Sequence, residues 1–188
     1  MGENDVHSAI LDTFPVLEEI QDTELRDKVV KAWARALREG SFNRLEDIPF
    51  SPAVPEVNLV SHINWVMELA LFMASLVEKG MEISIDRDLL IASVLLHDIG
   101  KVFEYQETEG KLVKSEIGEK FFHGFWSTLL ALEEGVSRDL AHIILTHSKD
   151  SPGHPRLLEG IILHYADFAH ADILRFQKGI TPFLAMGK

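Results

Sequence analysis

Apolar residues recur at intervals of three and four along almost the whole chain, and strand-like alternation is scarce. The pattern predicts helices over 5–20 and 22–39, the second closing at Gly40. In that second helix Leu25, Val29, Ala32, Trp33, Ala36 and Leu37 form one stripe, which assigns Trp33 to core packing and not to ligand stacking. The segment SFNRLEDIPFSPAVPEV carries three prolines and reads as an extended connector. Asn58 is suited to cap a helix that runs to Lys79 and ends at Gly80, with Leu59, His62, Val66 and Leu69 near one face. Asp86 caps the next helix, whose run from Leu89 to Leu96 is apolar on nearly every side, as in a central buried helix.

Beyond Gly100 the chain turns polar, and KVFEYQETEGKLVKSEIGEK predicts a loop in preference to a short hairpin turning at Glu109-Gly110. A helix then starts near His123 and closes at Gly135, and Ser137 caps another that carries His142 and His147. The last helix is expected over 155–177, with Pro155 in its first turn and Leu157, Ile161, His164, Phe168 and Ala171 as its stripe. The fold class is therefore all-α. A helical extension over 1–57, built around a helical pair, is expected to pack on a bundle over 58–188 as one globular unit.

Composition narrows the function. A chain of 188 residues can bury a substantial core in one domain. With no cysteine, disulfides and thiolate metal sites are both excluded, so any metal would sit on nitrogen and oxygen. The N-terminus MGENDVHSAI has no basic-then-apolar leader and no apolar run looks long enough to cross a bilayer, so a cytoplasmic protein without a membrane partner is expected. The formal net charge of −12 favours a small ligand over a long nucleic acid, which is usually met by a basic face.

Histidine and aspartate carry the candidate chemistry. His62, the pair His97-Asp98 in LLIASVLLHDIGK, His123, His147 and Asp167 each lie on or beside an apolar helical stretch. Together they could hold two divalent cations bridged by one carboxylate. Asp98, near the end of a buried helix, would be costly to keep ionised without a cation or partner. His142 and His147 lie five apart and do not share a face. His164 reads equally as a contact near the site and as a buried hydrogen-bonded histidine, whereas His170 and Asp172 read as surface residues.

The string HDIGK, with His62 upstream and His123, His147 and Asp167 downstream, resembles the HD-domain superfamily of metal-dependent phosphohydrolases from about Asn58 to about Gln177. A second stretch, LTHSKDSPGHPRLLEGIILHYADFAHAD, is similar to the end of the HD domain in bacterial 3′–5′ exoribonucleases, with Ser148 in place of the second histidine of that family's pair. The resemblance implies one ion on His62, His97, Asp98 and Asp167, and a second sharing Asp98 and adding His123 and His147. It implies His147, beside the turn-rich SKDSPGHP, as the ligand and so leaves His142 a structural role. Some HD enzymes hold one ion with the first four alone. It also implies a metal-activated hydroxide attacking a phosphate ester of a nucleotide or other small phosphorylated molecule.

Lys101 then reads either as a catalytic partner for phosphate or as a charge offsetting its helix end. Lys149, Arg156 and His164 are further candidates for substrate contact. The alternatives are a 3′–5′ exoribonuclease, a di-iron oxygenase on the same ligand set, and a silent binding module. A homo-oligomer is compatible with all of them.

Overall fold

The first expected helix is divided by a proline. In the computed structural model, which describes residues 3–186, α1 (Glu3–Thr13) stops before Phe14, and a 3-10 turn follows over Pro15–Glu19. Proline lacks a backbone donor and disfavours the helical conformation of the residue before it, and Phe14 sits at φ −122° and ψ 73°. α2 (Thr23–Glu39) begins and ends where expected: the Asp22 carboxylate accepts from the N–H groups of Glu24 and Leu25, and Gly40 closes it. α3 (Leu59–Met81) is capped by Asn58, which accepts from Ser61 N–H at 2.8 Å. It runs through Gly80 because the left-handed position that stops a helix falls later, on Glu82 at φ 57°. α4 (Arg87–Leu96) is capped by Asp86 and buries every residue from Leu90 to Leu96.

The polar segment is more ordered than a loop. It forms α5 (Lys101–Glu104), the strands β1 (Tyr105–Thr108) and β2 (Lys111–Lys114), and α6 (Glu116–Lys120). The strands pair antiparallel with Thr108 opposite Lys111, leaving Glu109 and Gly110 as a two-residue turn at φ 54° and 72°. Positive φ at both turn positions matches the twist of paired strands, so the hairpin reading replaces the loop.

α7 (His123–Glu133) and α8 (Arg138–Thr146) follow, the latter capped by Ser137. α9 (Leu158–Gln177) starts later than expected because Arg156 N–H is held by His142 Nε2 at 3.1 Å and Leu157 is extended. Its buried face is also rotated from the expected stripe. Ile162, Leu163, Ala166, Asp167, His170 and Ala171 face inward, whereas Ile161 is exposed.

α4 is the axis of the bundle, with α2, α3, α8 and α9 packed around it. Trp33 of α2 is fully buried and donates its indole N–H to Leu95 O of α4 at 3.1 Å. One cluster of buried apolar side chains runs from Ile10 and Trp33 through Leu95 to Leu163. α3 corrects the expectation about apolar runs: by length and composition alone it could cross a membrane. Here it packs on α4 and α9 and carries the buried His62, which is how a central helix of a bundle behaves.

Candidate metal centre

His97 and Asp98 sit in the tight turn that ends α4, and a glycine lets that turn meet α7. A Cβ built on Gly100 would lie 2.2 Å from His123 O and 2.7 Å from Ser127 N. Gly100 N–H also donates to Ser127 Oγ at 2.9 Å. Only the bare backbone allows this approach, which carries His123, the first residue of α7, to Asp98.

The six residues expected as ligands converge. Asp98 Oδ2 lies 3.5 Å from Nε2 of both His62 and His97. Its other oxygen, Oδ1, lies 3.1 Å from His123 Nε2 and 3.5 Å from His147 Nε2. Asp167 Oδ1 stands 3.2 Å from His62 Nε2 and 4.0 Å from His97 Nε2. The two carboxylate oxygens of Asp98 thus face two separate pairs of imidazoles, and in each pair the Nε2 atoms are 3.3 Å apart. Three sets have ligand atoms close enough to share a metal ion: His62, His97 and Asp98; Asp98, His123 and His147; and His97, His147 and Asp167, which spans the two pairs.

Each imidazole is oriented through its other nitrogen. His97 and His147 donate from Nδ1 to Val94 O at 2.8 Å and to Ile144 O at 2.6 Å. His123 Nδ1 is 3.1 Å from Glu104 Oε2, and His62 Nδ1 is 2.8 Å from His170 Nδ1. The two donations to backbone carbonyls leave the Nε2 lone pairs of His97 and His147 aimed at the neighbouring imidazoles and at carboxylate oxygens. Such an arrangement is repulsive without a cation between them, so the donor set fits divalent metal.

Burial and charge set the protonation states. Burial pulls the His97 imidazole down to about 4, keeping it neutral. Burial pushes the Asp98 carboxyl up, but Lys101, His97 and His123 outweigh it and hold the group well below the usual carboxylate range. Asp167 is likewise pushed up by burial and brought down to about 2 by its contacts with His62. For Lys101, burial is outweighed by Asp98, Tyr105 and Glu104, so its ammonium stays charged.

The other expected contacts separate. Lys101 is buried, with Nζ 3.5 Å from Asp98 Oδ2 and 4.8 Å above the Phe50 ring, and it lines the cavity over the histidines. Its ammonium meets a carboxylate, not the carbonyl end of α4. Lys149 also lines that cavity, 2.6 Å from Asp150. Arg156 is exposed and does not line it. His164 donates to His147 O at 2.7 Å and packs on Phe168, supporting His147 from behind. His142 receives Arg156 N–H, the structural role expected.

His170 and Asp172 are corrections, since both are buried. His170 is sandwiched against Trp65 and His62, and Asp172 accepts from Phe183 N–H and Leu184 N–H. The spacing of Leu163, Asp167 and His170, four and then three apart, is the signal that could have placed His170 inward. Phe50, stacked on His62 with ring centroids 3.9 Å apart, comes from the connector and has no such signal.

The cavity above the centre measures about 260 Å³. Asp98, His123 and Asp167 form its floor, Lys101, Lys149 and Arg175 supply positive charge, and Phe50, Val54, Phe168 and Phe183 give an apolar wall.

An all-helical bundle with this histidine–aspartate centre defines the HD class. Residues 59–172 match the HD domain, and the chain belongs to the HD-domain family. Among its relatives is the dihydroneopterin 2′,3′-cyclic phosphate phosphodiesterase of Methanocaldococcus jannaschii, 31% identical over 172 residues. That alignment covers 83% of this chain and 66% of the relative, so the chain spans just under two thirds of the relative's length. No solved structure matches the chain.

Proposed function

We propose that this protein hydrolyses a phosphate ester of a small, nucleotide-like molecule, with a cyclic phosphodiester as the favoured form, using two divalent ions. The observation that carries the proposal is Asp98, whose two oxygens face two histidine pairs on the floor of one cavity. Ions held there would polarise a phosphoryl oxygen and lower the pKa of water. His62, His97 and Asp167 would hold one ion with Asp98, and His123 and His147 the other. The Nδ1 contacts keep the Nε2 lone pairs directed inward. Lys101, charged and buried beside Asp98, would meet a phosphate oxygen, and Lys149, which lines the same cavity, would be a second cation for it. Phe168 and Phe183 offer an apolar surface to the organic part of the substrate.

The relative's substrate supports the cyclic ester, and the cavity volume and acidic charge support a small molecule over a polynucleotide. The test is hydrolysis with manganese or nickel added and oxygen excluded, comparing nucleoside 2′,3′-cyclic phosphates, mononucleotides and single-stranded RNA. The small esters should be cleaved, with weak salt dependence. Salt-sensitive shortening of RNA from its 3′ end without turnover of small esters would establish the exonuclease reading instead. A requirement for iron and dioxygen would establish an oxygenase.

A further inference from the structure

We infer that Glu104 is the positioning residue on which ion binding at the His123–His147 cluster depends. The inference rests on the two-ion reading above. The two clusters are unequal in close carboxylates: Asp167 Oδ1 lies 3.2 Å from His62 Nε2 in the first, whereas in the second it comes only within 4.8 Å of the His147 ligand atom, and the shared Asp98 is the near carboxylate. A divalent ion in the second cluster would meet two neutral imidazoles and one carboxylate oxygen that also serves its neighbour. Something must make those imidazoles better donors.

Glu104 is placed to do so. It is 5% exposed, and Oε2 lies 3.1 Å from His123 Nδ1. That nitrogen is on the other edge of the ring from Nε2, which faces Asp98, so Glu104 acts through the imidazole and not as a ligand. A carboxylate at Nδ1 fixes the proton there, leaves the Nε2 lone pair free and raises its basicity. Among the four histidines this support is singular: His97 and His147 lean on backbone carbonyls, and His62 on another imidazole. The cluster poorer in carboxylate is the one backed by a buried carboxylate.

The surrounding chain is built to keep Glu104 there. Ser115 N–H donates to Glu104 O at 2.9 Å, closing the hairpin back onto it. Gly118 approaches so closely that a Cβ would lie 2.2 Å from the same oxygen. Lys114, at the end of β2, pairs with Oε1 at 3.4 Å and leaves Oε2 for His123. The hairpin between HDIGK and His123 thereby fixes the orientation of one metal ligand.

The test is manganese titration of the full chain by calorimetry, with electron paramagnetic resonance reporting spin coupling between paired ions. Wild type should take up two ions and show the coupled signal. Glu104→Gln removes the charge and keeps the shape. It should bind the first ion as wild type does, bind the second ~10–100-fold more weakly, and lose the coupled signal at limiting manganese. The retained first ion reports an intact fold. Two ions bound with wild-type affinity by Glu104→Gln would overturn the inference and leave the two-ion reading standing, as would an equal loss of both. A single ion on the wild type would overturn both.

Discussion

Asp98 is 2% exposed yet ionised, and the ammonium of Lys101, 3.5 Å away, offsets part of the cost of burying that charge. Lys101 is the residue whose role is open to the sharpest test. Proposed to touch phosphate and not metal, it should be dispensable for ion binding and important for turnover. Lys101→Ala should keep wild-type metal content and lose about 1.5–3 kcal/mol of transition-state stabilisation in kcat/KM. Wild-type turnover by this variant would restrict Lys101 to neutralising Asp98. The six converging residues were legible because each is a polar group in an apolar helical setting, an arrangement that asks for a partner. Their supports were less legible. Glu104 lies in a stretch dense with acidic residues, where one buried carboxylate has no distinguishing mark. Phe50 reaches His62 only through the tertiary path of a proline-rich connector.

Among the elements, helix starts with a capping side chain were readable: Asn58, Asp86 and Ser137 all accept backbone N–H groups as expected. Starts and stops decided by tertiary contacts were not. α9 begins late because a histidine from α8 holds Arg156 N–H, and the hairpin forms where two adjacent residues adopt positive φ. The HDIG turn is a further case, since its glycine is required by a neighbour far along the chain. Gly100→Ala would press a methyl group into the backbone of α7. Such overpacking should cost ~1–3 kcal/mol of stability in chemical denaturation and weaken the second ion through displacement of His123. Unchanged stability and unchanged binding of both ions would mean that the close approach does not position His123.

At the scale of the molecule, the bundle places α4 where neighbouring elements bring the candidate ligands to its C-terminal turn: His62 on α3, His123 on α7, His147 after α8 and Asp167 on α9. This convergence from separate helices explains why the class was legible from one short string and its flanking histidines, while the cavity wall was not. Phe183 and Arg175 line that wall from the C-terminal end of the chain with no linear pattern to announce them. The net charge of −12 gives a long anionic polymer little general attraction, so in the proposed reading recognition would fall to ions held by the histidine–aspartate floor and to a few local cations.

The measurement that tests the account most directly is metal content per chain, taken on wild type, His123→Ala and Asp98→Ala after saturation with manganese and removal of the unbound ion. Wild type should hold two ions, His123→Ala mainly one, and Asp98→Ala none, because the two oxygens of Asp98 are the carboxylate atoms within 3.5 Å of both histidine pairs. Full metal content in Asp98→Ala would contradict the bridged centre and the reaction built upon it.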